Sequence, residues 1–169
     1  ARRAITRGAL TVVLPNGRQM SYGNVADDAP TTRPGEEWHG APRAAVVPMM
    51  GRIAAGVPIS AIQDHTANIT VPPEMLSGGE HFALEVKGDS MIEAGILNGD
   101  FIVARVETHA RNGDVVVAGI PGEEATVKTF FKDGQKITLR PANSTMEDLV
   151  YAANEVQIFG KVVTVLRKY

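Results

Sequence analysis

Residues 81–106 read HFALEVKGDSMIEAGILNGDFIVARV, two apolar runs separated by a stretch rich in glycine and turn-forming residues. HFALEV and DFIVARV are too short for ordinary helices and carry Val, Ile and Phe, so both read as strands, with Asn98-Gly99 as a turn signal between them. The same rhythm continues in both directions. AAVVPM at 44–49 precedes it, and DVVVAGI at 114–120, ATVKTFF at 125–131, KITLRP at 136–141, VQIFG at 156–160 and KVVTVLRK at 161–168 follow. Asn112-Gly113, Pro121-Gly122 and Asp133-Gly134 separate several of these runs. Short strands punctuated in this way predict a mainly β fold, a compact antiparallel barrel or sandwich. Helix is expected only as short turns near Pro73–Leu76 and Met91–Ala94.

Upstream, ALTVVLPNGRQMSY at 9–22 predicts a hairpin about Asn16-Gly17, a dipeptide that tolerates the positive φ angles of a tight turn. Residues 24–45 have the Pro- and Gly-rich, aperiodic composition of a linker. The expected organisation is therefore an amino-terminal hairpin over 1–23, a linker over 24–45 and one β domain over 46–169. The chain opens Ala-Arg-Arg without an initiator Met, as expected of a fragment of a longer protein.

The 169 residues, 44% hydrophobic and 21% charged, belong to a globular chain of one core. A net charge of −2 excludes a uniformly basic nucleic-acid binder. The charge is uneven: Arg2, Arg3, Arg7 and Arg18 stand in residues 1–23 without an acid, whereas residues 41–169 hold twelve Lys/Arg against fifteen Asp/Glu. Phosphate contacts are expected only at the amino-terminal end. The absence of cysteine excludes disulfides, thiolate metal sites and a thiol nucleophile, and permits a reducing, cytoplasmic location. His39, His65, His81 and His109 show no ligand spacing, so neither a metal nor another cofactor is expected. The longest apolar stretch, Ala41 to Ile62, is broken by Pro48, Gly51, Arg52 and Gly56, and predicts no membrane span.

Three segments carry candidate chemistry. In Met50–Ile59, Ala54, Ala55 and Gly56 interrupt an extended apolar stretch, and such small side chains let another backbone approach closely. In Glu85–Ile92, a strand ends at Gly88 and presents Ser90 in the turn beyond. In Ala125–Phe131, alternation places Thr126, Lys128 and Phe130 on one face, so Lys128 shares a face with apolar bulk. Singly, each has a plain structural explanation, because serines are common in such turns and strand lysines usually extend to solvent. Together they make a Ser–Lys dyad physically reasonable, since burial can depress a lysine's pKa enough for it to deprotonate a serine.

The series VPMMGRIAAGVPI, HFALEVKGDSMIEAGILNGDFIVAR, RNGDVVVA, EEATVKTF, LRPAN and IFGKVVTVLRKY resembles, in order, the self-cleaving domain of the bacterial LexA repressors, an S24-type Ser/Lys peptidase family. The resemblance covers about residues 46–169. It implies Ser90 as nucleophile, Lys128 as general base and Ala55–Gly56 as the scissile bond. It further implies backbone N–H groups of Asp89 and Ser90 as the oxyanion site, with Thr126 orienting the lysine. The implied partners are a RecA filament on single-stranded DNA, operator DNA reached through a helix-turn-helix not seen in this chain, and a second copy of the chain. Residues 1–23 offer at most the wing of such a DNA-binding domain. A self-processing accessory subunit of a translesion polymerase is the alternative within the same superfamily, and a barrel serving only for dimerisation is the non-enzymatic one. Val156–Leu166, a β-rich run near the chain end, is the expected homodimer edge.

Overall fold

Each apolar run read from the sequence falls in a strand of the computed structural model, which describes residues 10–13, 19–22, 44–51, 56 and 65–169. Eleven strands occur among these residues: β1 (Leu10–Val13), β2 (Gln19–Tyr22), β3 (Ala45–Met50), β4 (His65–Val71), β5 (His81–Glu85), β6 (Phe101–Val106), β7 (Val115–Gly119), β8 (Thr126–Asp133), β9 (Lys136–Arg140), β10 (Leu149–Ala152) and β11 (Gln157–Lys168). Single 3-10 turns at Pro73–Met75, Ile92–Ala94 and Ala153–Glu155 are the helical elements of the described residues. None of these is long and apolar enough to cross a membrane.

Nine strands follow one hydrogen-bonded path, β10-β9-β8-β7-β11-β6-β5-β3-β4, with β1 added to β11 and β2 to β1. The mainly β expectation holds, and the barrel it offered is an open sheet whose path ends at β10 and β4. It is also mixed: β3 and β4 form their own antiparallel hairpin, and β3 meets β5 in parallel at Met49 and Ala83. In the amino-terminal segment β1 and β2 pair antiparallel, Leu10 to Val13 opposite Tyr22 to Gln19. Its Asn16-Gly17 turn, and the linker as far as residue 43, lie outside the described residues.

VQIFG and KVVTVLRK are one strand, not two. Gly160, which reads as a break, is instead a point of close approach, where a Cβ would stand 2.5 Å from the Arg105 carbonyl oxygen and 2.8 Å from the Phe82 ring. β11 pairs with β7 over Gln157–Lys161 and with β6 over Gly160–Leu166, with register shifts on both sides. Its last residues, Val165 to Lys168, pair with Val13 to Leu10 of β1. The stretch expected to be a free dimer edge is thus largely interior to the sheet. β4 and β10 escape sequence reading because each lies at an end of the path and buries little: of Ala67–Val71 only Val71 is fully buried, and LVYA has no fully buried residue.

The central strands are covered on both faces. On β6, Ile102 and Ala104 join one buried cluster with Phe82 and Phe159, while Val103 joins another with Val47 and Leu166. On β7, Val117 belongs to the first and Val116 and Ala118 to a third, with Phe130 and Leu139. This explains why FIVA and VVVAG are continuous apolar runs instead of alternating ones. Asp100, 2% exposed just before β6, is held by Arg167 of β11 through two bonds of 2.7 and 2.8 Å. That pair ties the turn after Ser90 to the carboxy-terminal strand.

Candidate active site

Ser90 stands in the turn between β5 and the Ile92–Ala94 3-10 turn, and Lys128 is the third residue of β8. Thirty-eight residues apart in sequence, they meet with Lys128 Nζ 3.1 Å from Ser90 Oγ. The sequence expectation for β8 is met at this position: Lys128 and Phe130, two residues apart, are both buried. Lys128 is 8% exposed, and its remaining donors go to Thr126 Oγ1 at 2.6 Å and the Val127 carbonyl at 3.1 Å. Thr126 therefore acts as an acceptor for the ammonium. Once the amine is neutral, its lone pair can receive a hydroxyl proton from either side.

Burial pushes the Lys128 pKa below the ordinary lysine range, and the negative charge of Glu123 opposes that shift. The direction matters chemically: a desolvated amine that loses its proton readily is a base, and a hydroxyl at hydrogen-bond distance is the group it can deprotonate.

The turn bearing Ser90 is held at two points. Gly88 adopts a φ of 87°, accessible to glycine at little cost, and its N–H donates to Asn98 Oδ1 at 2.8 Å. Asp89 offers its carbonyl to Asn143 Nδ2 at 2.9 Å. Of the sequence-derived residues, Ser90, Lys128, Thr126 and the Asp89 turn are thus brought together. Asn98 and Asn143 were missed, although Asn98 lies in a recognised turn signal and Asn143 in the LRPAN motif; nothing local tells a structural asparagine from one that reaches across the fold.

Beside the pair lies a cavity of about 160 Å³ walled by Leu84, Val86, Met91 and Val127, with Gly51 at its border. Gly51 directly follows β3, so the stretch carrying the small residues leaves from the cavity's rim. Ala55 lies outside the described residues. Gly56 is exposed, has a φ of 93°, and donates its N–H to Gln157 Oε1 at 2.7 Å. It does not line the cavity.

Comparison with protein families matches residues 48–163 to the family described as Peptidase S24-like. The chain belongs to the Peptidase S24-like family. This places it among self-cleaving serine-type peptidases, and the match runs from within β3 to within β11. Ser90, Lys128, Asp89, Thr126 and the cavity all lie within the S24-like region, as does Gly56. The amino-terminal hairpin lies before it.

Proposed function

We propose that this S24-like chain is a LexA-type repressor whose latent peptidase cuts its own Ala55–Gly56 bond. The approach of a buried lysine to within 3.1 Å of Ser90 Oγ carries the reading. Ser90 Oγ attacks the Ala55 carbonyl carbon as Lys128 takes the hydroxyl proton. The resulting oxyanion is held by the N–H groups of Asp89 and Ser90. Collapse breaks the C–N bond, and the Gly56 nitrogen leaves as an amine with the proton returned by Lys128. Water, activated by the same lysine, then hydrolyses the Ser90 ester and releases fragments 1–55 and 56–169.

Because enzyme and substrate are one chain, the rate scales with the fraction of molecules whose cleavage stretch lies in the cavity. The bond from Gly56 to Gln157 holds the scissile nitrogen elsewhere, as suits a latent peptidase. A RecA filament on single-stranded DNA is the proposed activator, favouring the docked state and thereby derepressing DNA-repair genes. Operator DNA, bound through a helix-turn-helix on a longer chain, and a second copy of this one complete the proposed partners.

The test is a cleavage time course over about pH 6 to 10, with fragments located by mass spectrometry. Wild-type cleavage is expected to rise roughly tenfold per pH unit below the lysine's depressed pKa and then to level off. Ser90→Ala and Lys128→Arg should each abolish it, because guanidinium keeps its proton throughout this range. A cut away from Ala55–Gly56, or an active arginine variant, refutes the assignment.

A further inference from the structure

The segment Ala142–Thr145, just beyond β9, grips the Ser90 turn without lining the cavity. Glu93 N–H donates to the Ala142 carbonyl at 2.8 Å, and Ser144 N–H donates back to Glu93 Oε1 at 2.9 Å. Ala142 N–H faces Met91 Sδ at 3.4 Å. Between them Asn143, 7% exposed, donates from Nδ2 to the Asp89 carbonyl at 2.9 Å. Its Oδ1 accepts from Thr145 N–H at 3.0 Å and Thr145 Oγ1 at 2.7 Å, which fixes the amide atom that faces Asp89.

The Asp89 carbonyl and the Ser90 N–H are opposite ends of one trans peptide plane. Fixing the carbonyl therefore fixes the N–H, which points the other way. Asn98, bonded to Gly88 N–H, restrains the Lys87–Gly88 peptide, two before it. A buried asparagine that donates to this one carbonyl thus controls the orientation of a proposed oxyanion donor that it never touches.

We infer that Asn143 is a positioning residue of the peptidase: by holding the Asp89 carbonyl it aims the Ser90 N–H at the oxyanion formed during cleavage. The inference rests on the assignment of Ser90 as nucleophile. Misalignment of a preorganised donor weakens stabilisation of the transition state more than binding of the ground state. The effect should therefore appear in the chemical step, whether the carbonyl attacked is in the chain's own cleavage stretch or in a small reagent.

The experiment measures two rates on the full chain across about pH 6 to 10. One is self-cleavage. The other is phosphonylation of Ser90 by a small fluorophosphonate, whose phosphoryl oxygen takes the oxyanion position and whose reaction needs no docked cleavage stretch. Asn143→Asp keeps the side chain's size and the acceptor for Thr145 but turns a carboxylate toward the Asp89 carbonyl. It is expected to lower both rates about 100-fold on the pH plateau, where Lys128 is neutral in both chains; below the plateau the added negative charge favours the ammonium and moves the midpoint upward.

If Asn143→Asp lacks a cooperative melt above the assay temperature, Thr145→Val decides instead. That variant keeps Nδ2 and removes one bond that orients it, and a loss of about threefold in both rates is expected. Wild-type rates in the deciding variant, lost cleavage with intact labelling, or a displaced pH midpoint in the uncharged Thr145→Val would each overturn the role of Asn143. A Ser90→Ala chain that still cleaves or labels would instead remove the underlying assignment, and so separates the two failures.

Discussion

Burial of Lys128 works against folding for as long as its amine carries a proton. Its folded pKa is depressed by desolvation below the unfolded value of about 10.4. Between those two values the unfolded chain binds more protons, so this lysine's contribution to stability improves as pH rises through the window. The bonds to Ser90, Thr126 and Val127 offset part of the penalty without removing it. Lys128→Met is therefore expected to melt about 2–4 °C above the wild type at neutral pH and to lose that advantage near pH 10. Thermal melts at both pH values decide the matter, and an equal difference at the two would show that the lysine is not desolvated. Lys128 itself was legible in the sequence, because a charged residue alternating with Thr126 and Phe130 stands on a face that buries. Asn143 was not, since its partner is 54 residues away and only the fold brings them together.

β11 determines how the site is framed, pairing successively with β7, β6 and β1 and anchoring Asp100 through Arg167. Its length depends on Gly160, which brings the strand against β6 and the Phe82 ring. Gly160→Ala should destabilise the chain by about 1–3 kcal/mol, because the nearest obstacle is a backbone oxygen that no rotamer change can move. Urea unfolding with an unchanged slope and a lower midpoint is the expected result; an unaltered midpoint would mean that the strands separate at little cost. A sequence reading divides this strand at the glycine because glycine is ordinarily a strand breaker. Close approach to another backbone and failure to hold a strand favour the same residue, and only the neighbouring strand tells them apart.

The β1–β2 pair joins the last strand, so the first and last described strands lie in one sheet. This bears on self-association: any pairing of β11 with a second copy at Val165–Lys168 requires β1 to leave. Deleting residues 1–23 uncovers the N–H and C=O groups that β1 occupies, and an uncovered edge is a template for another strand. The shortened chain is expected to dimerise at lower concentration than the full one in sedimentation at micromolar protein. Equal association of the two would place the dimer contact elsewhere. By itself the sequence determined the mainly β class, most strands and the positions of two 3-10 turns, because alternation and turn dipeptides are properties of neighbouring residues; the Ser90–Lys128 dyad was legible as reasonable chemistry and through the resemblance to a known family. The tertiary structure decided what depends on distant ones: the open, mixed path of the sheet, the continuity of β11, the bond from Gly56 to Gln157 and the two asparagines that hold the Ser90 turn. Hydrogen bonds between residues up to 101 positions apart leave no periodic trace along the chain, since each needs only one polar side chain in a place that the rest of the fold creates.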